Sequence, residues 1–153
     1  ISTTDQREEG FKAAMANYPD ITVLETQFND DDANKASAQV NAVVARAPDL
    51  AGIFGANLFS AIGSADGVKA MGKSGEIKVV AFDAPTRIVD DLKSGLVDMA
   101  IAQHPAEIGY MGVMVAFGHV TGNPVPVSVG TGFTVMTADN IDDPDISKYV
   151  YSD

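Results

Sequence analysis

The sequence predicts an α/β protein whose parallel sheet is covered by helices on both faces. Segments rich in β-branched and apolar residues alternate with segments whose apolar residues recur at helical spacing, which is typical of βαβ units. In such units the helices pack on both faces of a parallel sheet. The 153 residues, 46% hydrophobic and 20% charged, suffice for one globular domain, or for two small lobes that share segments.

The first part of the chain predicts a helix, a strand and a second helix. Residues 3–18 begin with threonine and aspartate as N-cap residues and place Phe11 and Met15 on one helix face. A Pro-Asp turn signal then precedes residues 21–28, which are β-branched and apolar and predict a strand. Residues 29–49 open with an acidic cap and continue with valines at helical spacing, so they predict a helix.

Two further units repeat this pattern. The apolar segment 50–56 predicts a short buried strand, and residues 57–72 predict a helix that closes near Gly72, a plausible C-terminal glycine. The remaining predicted elements are a strand at 77–82, a short helix at 85–95, a strand at 96–103, a largely apolar helix at 105–122, and an irregular segment at 123–153 with one or two short strands.

Charge and composition narrow the classes of function. The formal net charge of −11 argues against nucleic-acid binding, which requires a positive surface. Cysteine is absent from the sequence, which removes thiolate nucleophiles and thiolate metal sites. The apolar stretch 110–120 is too short to span a bilayer. The first ten residues have no basic or apolar region of an export signal, so any such signal has been removed or was never there.

Catalytic and cofactor motifs are not predicted. His104 and His119, the only histidines in the sequence, have no neighbours at metal-ligand or triad spacing. The sequence contains no phosphate-binding loop, dinucleotide fingerprint or nucleophile elbow. The acidic run 30–32 lacks the later glutamate of a calcium loop, so we interpret it as a solvated helix N-terminus. We therefore expect no cofactor, no metal and no enzyme activity.

Three polar residues stand at the carboxyl ends of predicted strands. Asn57, Asp83 and Gln103 end or follow the second, third and fourth strands. Because ligands of parallel sheets bind at the carboxyl ends of the strands, we expect the three side chains to share one rim. Amide and carboxylate groups donate and accept in fixed directions, which suits a ligand with several hydroxyls. Alternatively, Asn57 and Asp83 could each cap the helix that follows.

Arg7 is a further candidate binding residue. We place it in the first turn of the first helix, where the helix dipole disfavours a cation. It should therefore have a compensating partner, and a ligand or an aspartate on the same rim would serve. The alternative is an ordinary surface arginine.

An ordered set of segments resembles a known family. Residues 6–15, 51–72, 77–85, 92–113 and 131–143 are similar, in order and roughly in spacing, to the ribose-binding-like group of sugar-type periplasmic binding proteins of ABC importers, which have the type I fold. Members have two lobes joined by three crossovers and hold a sugar between them. The resemblance implies a receptor that delivers a small sugar to a membrane permease. It also implies a periplasmic location, or an extracellular lipid-anchored one in a Gram-positive organism.

The resemblance also implies roles for individual residues. Arg7, Asn57, Asp83 and Gln103 match the polar residues that the second lobe presents to sugar hydroxyls. Arg7 and Asp83 would grip hydroxyls from both sides through charge-assisted hydrogen bonds, and Asn57 and Gln103 would add amide contacts. Asp31 stands where ribose binders tend to place an aromatic residue, which implies a different sugar.

Family members are nearly twice as long, so the resemblance implies a carboxyl-terminal portion. We expect three parts: a second lobe without its first strand at 1–103, a return segment of the first lobe at 104–137, and a crossover and tail at 138–153. The absent strand would lie between the strands at 21–26 and 50–55. We expect a companion piece of the same protein to supply it, and direct pairing of the two flanking strands is the alternative.

Two other functions stay open. The effector-binding domain of a transcription repressor resembles the same fold, and a helix-turn-helix upstream would indicate it, whereas the tail at 138–153 favours the receptor. An α/β enzyme is the third possibility. It would need an acid–base or nucleophile constellation, and a turnover assay would decide.

Overall fold

The computed structural model describes residues 2–151, apart from the side chain of Ser2. The strand predicted to precede Ile1 and the last two residues of the predicted tail lie outside the described residues. In chain order the elements are α1 (Ser2–Met15), α2 (Ala33–Arg46), β1 (Gly52–Gly55), α3 (Leu58–Ala70), β2 (Lys78–Phe82), α4 (Thr86–Lys93), β3 (Met99–Gln103), α5 (Pro105–Val120), β4 (Phe133–Met136) and α6 (Pro144–Ser147).

The four strands form one sheet in the order β1-β2-β3-β4. The first three strands are parallel, with Phe54 opposite Val80 and Phe82 opposite Ile101. The fourth strand runs antiparallel to β3 and places Met136 opposite Ala100. The parallel sheet predicted from the sequence is therefore confirmed for β1, β2 and β3, and the antiparallel strand β4 extends it at one edge.

Helices cover both faces of this sheet, as predicted. On one face, α1 stacks Phe11 against Phe54 of β1, with ring centroids 5.4 Å apart. On the other face, α3 approaches β1 so closely that a Cβ on Gly55 would lie 2.5 Å from the Cα of Ala61. Fully buried residues of β2, such as Val79, face this second layer and join the main hydrophobic core.

The helix ends follow the signals in the sequence. Asp32 caps α2 by accepting hydrogen bonds from the backbone N–H groups of Asn34 and Lys35, at 2.8 and 3.1 Å. Gly72 follows α3 with φ +68°, a left-handed conformation that suits glycine. The N–H of Lys73 then donates to the carbonyl of Val68 at 3.0 Å, which ends the helix.

The strand predicted at 21–28 is wrong. Among the described residues this segment has no strand partner, and it runs as an irregular connection between α1 and α2. Its contacts are made by side chains: Thr26 donates to Glu8 at 2.7 Å, and Gln39 donates to the carbonyl of Phe28 at 2.9 Å. A strand requires a neighbouring strand to complete its backbone hydrogen bonds, and direct pairing with β1 does not occur.

The first helix predicted at 3–18 is confirmed as α1, but the capping role predicted for its threonine and aspartate is wrong. Helix α1 begins at Ser2, so Thr3 and Asp5 lie inside the helix instead of capping it. Arg7 consequently lies in the second turn, not the first. The dipole penalty that we expected for Arg7 is therefore weaker, because the effect fades beyond the first turn.

Helix α5 is apolar around most of its surface, and none of its residues is buried. Ile108, Val113 and Phe117 are all exposed. Within residues 2–151, no helix combines the length and the apolar character needed to cross a membrane.

Candidate functional site

The carboxyl ends of the parallel strands border a cavity of about 260 Å³. Three of the four predicted site residues line it, namely Arg7, Asn57 and Asp83. The other lining residues are Thr3, Thr4, Asp31, Leu58 and Phe59. Gln103 is not in the lining but reaches the cavity through Asp83. The structure therefore brings the predicted residues to one rim, and their binding of a ligand stays a prediction.

Asp83 follows β2 in a left-handed backbone conformation, with φ +77°. Its backbone N–H donates to the carbonyl of Ile101 on β3 at 3.0 Å, and its Oδ1 accepts a 2.6 Å hydrogen bond from Nε2 of Gln103. The N-cap of α4 is Pro85, which has no side-chain capping bond. The alternative role of Asp83 as a helix cap is therefore wrong, and its carboxylate is available at the cavity.

Asn57 is the N-cap of α3, so its alternative structural role is confirmed. Its Oδ1 accepts a 2.9 Å hydrogen bond from the backbone N–H of Ser60, and its Nδ2 donates to Oδ1 of Asp31 at 2.7 Å. These two contacts fix the amide at the cavity wall. The Asn57 amide has a second N–H hydrogen and a second carbonyl lone pair, and these could form hydrogen bonds with a ligand hydroxyl.

Arg7 is held by β1 and β2 and not by an aspartate. Its Nη1 donates to the carbonyl of Ala56 at 2.9 Å, and its guanidinium carbon lies 3.6 Å from the centroid of the Phe82 ring. Stacking on an aromatic ring stabilises a cation by about 0.5 to 2 kcal/mol. Within the described residues Arg7 makes no ion pair with Asp83, so the two charged groups line the same cavity without pairing with each other.

Asp31 is a cavity residue that we had not proposed for binding. Asp30 and Asp31 both have positive φ, and this turn is held by Asn29, whose Oδ1 accepts from the backbone N–H of Asp31 at 3.0 Å. Nδ2 of Asn29 donates to Ser60 on α3 at 2.7 Å. The signal available in the sequence was the acidic run itself, which we assigned to a solvated helix N-terminus. That assignment holds for Asp32, the cap of α2.

Tyr151 is a second residue that sequence reasoning missed. Its hydroxyl accepts a 3.1 Å hydrogen bond from the backbone N–H of Ala84, immediately after Asp83. Tyr151 and Ala84 are 67 positions apart in the chain, and no local pattern in the sequence indicates their contact.

Three segments meet beside the end of β3 at His104. The imidazole ring stacks on Tyr149, with centroids 3.7 Å apart and ring planes 10° apart. Its Nε2 lies 2.8 Å from the hydroxyl of Thr134 on β4. His104 therefore connects the start of α5, the antiparallel strand and the C-terminal tail, and these contacts assign it a structural role.

A larger groove, of about 510 Å³, lies at the opposite end of α1 from the cavity. Helix α1 contributes Met15 to one wall, and the extended segment after it contributes Ile21, Val23 and Leu24 to the other. Its lining combines apolar side chains with Lys12 and Glu25, and the predicted site residues do not take part in it. We therefore place the candidate ligand site at the smaller cavity.

Comparison with known proteins identifies the family. A model of the periplasmic binding protein domain matches residues 2–124, which is most of the chain. The chain belongs to this family of binding proteins, and its solved relatives have the type I periplasmic binding protein fold.

Individual relatives are receptors for sugars. The chain is 64% identical to an ABC transporter solute-binding protein from Agrobacterium vitis bound with α-D-tagatopyranose, with a TM-score of 0.96 over 99% of this chain and 51% of that one. It is 32% identical over 136 residues to the ribose import binding protein RbsB of Haemophilus influenzae, covering 89% of this chain and 46% of that protein. The chain thus spans about half the length of these relatives.

Proposed function

We propose that this chain supplies most of the second lobe of a solute-binding protein together with a return segment of its first lobe, and that the whole protein binds a monosaccharide for an ABC importer. The observation that carries the proposal is the convergence of Arg7, Asn57 and Asp83 on one cavity at the carboxyl edge of the sheet. Relatives with this fold are sugar-binding proteins, which favours the receptor over the repressor and enzyme alternatives.

The polar groups of the cavity suit the hydroxyls of a sugar ring. The guanidinium of Arg7 donates, the carboxylates of Asp31 and Asp83 accept, and the amide of Asn57 does both. Hydrogen bonds to charged groups are roughly twice as strong as bonds between neutral groups. Each of these side chains is already fixed by a neighbour, so little conformational entropy is lost when a ligand binds.

We propose a pyranose monosaccharide, with D-tagatose as the first sugar to test. The relative with 64% identity was crystallised with α-D-tagatopyranose, whereas structures with 28% identity contain D-fucose and D-arabinose. The resemblance implies that Asp31 stands where ribose binders tend to place an aromatic residue, so this part of the cavity wall offers a hydrogen-bond acceptor. A ligand with many hydroxyls therefore suits this wall better than one with a large apolar face.

The remainder of the protein would complete both the fold and the cleft. An additional strand would fill the groove beside Ile21 and Leu24 and would pair with the outer edge of β1, which has no partner strand among residues 2–151. The exposed apolar surface of α5 would pack against the first lobe, in agreement with the division of the chain at 103 and 104. Closure of two lobes over the sugar would exclude water from the cavity.

The cellular role follows from the family. A receptor of this kind would act by binding and release, not by catalysis, and would hand its sugar to a membrane permease. It would work in the periplasm, or outside the cell as an anchored protein in an organism without an outer membrane.

Calorimetry on the full-length gene product tests the proposal. D-tagatose, D-ribose, D-allose, D-fucose and D-arabinose form the panel, and at least one should bind at micromolar affinity or tighter. Asp83→Ala should weaken binding of the tightest sugar by about 2 to 4 kcal/mol, because it leaves charged and polar partners unpaired in a closed site. Asp90→Ala, on the exposed side of α4, is the matched control and should leave the affinity unchanged.

Two results would contradict this proposal. Unchanged affinity of a folded Asp83→Ala protein would remove Asp83 from the site, and the absence of binding across the panel would remove the assigned ligand class. Chelation and dialysis should leave the affinity unaltered, because the proposed contacts involve no metal. A loss that calcium restores would instead favour a metal at the acidic run 30–32.

A further inference from the structure

The C-terminal tail closes onto the turn that carries Asp83. The backbone N–H of Tyr151 donates to the carbonyl of Ala84 at 3.4 Å, while the hydroxyl of Tyr151 accepts from the N–H of Ala84 at 3.1 Å. A β-bridge also joins Tyr151 to Pro85. Ala84 and Pro85 are buried, so this N–H would lack a partner without the hydroxyl.

The backbone of Asp83 needs such support. A non-glycine residue with φ +77° is strained, and such a conformation persists only where the surrounding structure holds it. One side of the turn is held by β3, because the N–H of Asp83 donates to Ile101 at 3.0 Å. The other side of the turn is held by Tyr151, whose hydroxyl accepts from the N–H of Ala84.

The hydroxyl of Tyr151 also acts on the Asp83 side chain. Burial is the main cause that raises the pKa of Tyr151 to about 12, and the charge of the Asp83 carboxylate and a hydrogen bond to it act in the same direction. The backbone bond to Ala84 and the charge of Arg7 oppose this rise. The hydroxyl therefore stays protonated at neutral pH, so it can accept from Ala84 and still has one hydrogen to donate.

Asp83 is thus held from two parts of the chain. Gln103, at the end of β3, donates to one carboxylate oxygen at 2.6 Å, and Tyr151, in the tail, accepts from the N–H of the next residue, Ala84, at 3.1 Å. We propose that Tyr151 is a positioning residue of the ligand site, whose hydroxyl fixes the Asp83 turn and carboxylate in the orientation that receives a sugar hydroxyl. This inference rests on the proposed function, because it assigns a role through Asp83.

Removing the hydroxyl alone tests the inference. Tyr151→Phe in the full-length protein should weaken binding of the tightest sugar of the panel roughly tenfold, the scale for leaving one buried backbone N–H without its partner. Tyr149→Phe removes a hydroxyl two residues away and keeps the ring that stacks on His104, so it is the matched control. It should leave the affinity unchanged.

A double-mutant cycle separates positioning from a general structural role. In the Asp83→Ala background, Tyr151→Phe should cause little further loss of affinity, measured by ligand-observed NMR at millimolar sugar, because the residue through which it acts is gone. Hydrogen exchange of the Ala84 amide should accelerate in Tyr151→Phe. If that variant does not fold, Tyr151→Gln, which can still accept from Ala84, should fold and keep most of the native affinity, and a folded Tyr151→Gln protein without sugar binding would overturn the inference.

The outcomes distinguish this inference from the proposed function. Equal losses in the native and Asp83→Ala backgrounds, or no loss in the native one, would overturn the role of Tyr151 while Asp83→Ala still supports the site. If Asp83→Ala itself leaves binding intact, the assignment of the site fails first, and the inference fails with it.

Discussion

Helices α4 and α5 have opposite environments although both contain many apolar residues. Ile88 and Leu92 of α4 are 0% exposed and pack into the main core. Helix α5 is apolar around most of its circumference, yet Val113 and Phe117 are 69% and 62% exposed. The difference shows that an apolar sequence predicts a need for burial, whereas the presence of a packing partner decides whether burial occurs.

Helix α4 is amphipathic, and both its polar and its apolar side find partners among the described residues. Its polar side carries Arg87, which donates to Asp91 at 2.7 Å and to Asp66 of α3 at 2.6 Å. Its apolar side faces β3 and the core. Helix α5 has no comparable polar side, which is typical of a helix surrounded by protein on several sides.

The largest effect on stability should come from a substitution in the buried helix, α4. Leu92→Ala should lower the free energy of unfolding by about 2 to 5 kcal/mol, because it leaves a cavity in a core that is fully closed around the side chain. Equilibrium denaturation of the full-length protein measures this change. Met71→Ala, at the exposed C-cap of α3, is the control and should change stability by less than about 0.5 kcal/mol. Similar values for both variants would show that α4 is not the packed region that the structure describes.

The sequence predicted most elements because their signals are local. Gly72 and Gly95 have positive φ just after α3 and α4, where glycine ends a helix most easily. The strand at 21–28 failed for a different reason. Its β-branched residues predict a half-buried strand, but a strand also depends on a neighbour, and none of the described residues offers one.

The position of the candidate site residues was also predictable. Asn57, Asp83 and Gln103 come to one rim because strand ends of a parallel sheet share one edge, and their binding of a ligand stays a prediction. Two features were not accessible from the sequence: the left-handed turn that brings Asp31 to the cavity and the long-range contact of Tyr151 with the Asp83 turn. Both depend on tertiary structure, which leaves no periodic pattern in the chain.

The exposed apolar surface of α5 gives a second prediction. If the rest of the protein covers α5, Phe117→Ser in the full-length protein should lower the free energy of unfolding by about 1.5 to 3 kcal/mol, the value for burying a large apolar side chain. Met71→Ser serves as the control in the same denaturation measurement. A Phe117→Ser protein as stable as the control would show that this face stays in water, and the proposed packing against a first lobe would then be wrong.

The smallest expected effect concerns two glycines that the structure places in different environments. Gly63 of α3 faces α2, and an added Cβ would lie 2.2 Å from the carbonyl oxygen of Ala33 and 2.5 Å from the Cβ of Ala36. Gly63→Ala should therefore separate the two helices and destabilise the fold by about 1 to 3 kcal/mol.

Gly10 of α1 is the matched control for Gly63, because an added Cβ would have no neighbour within 4 Å among the described residues. Gly10→Ala should be neutral or stabilise by up to about 1 kcal/mol, since alanine loses less conformational entropy in a helix than glycine does. Thermal unfolding of the two variants measures the contrast directly. A destabilising Gly10→Ala would reveal that the surface of α1 at this position is packed in the full-length protein, whereas a neutral Gly63→Ala would contradict the close contact of α2 and α3.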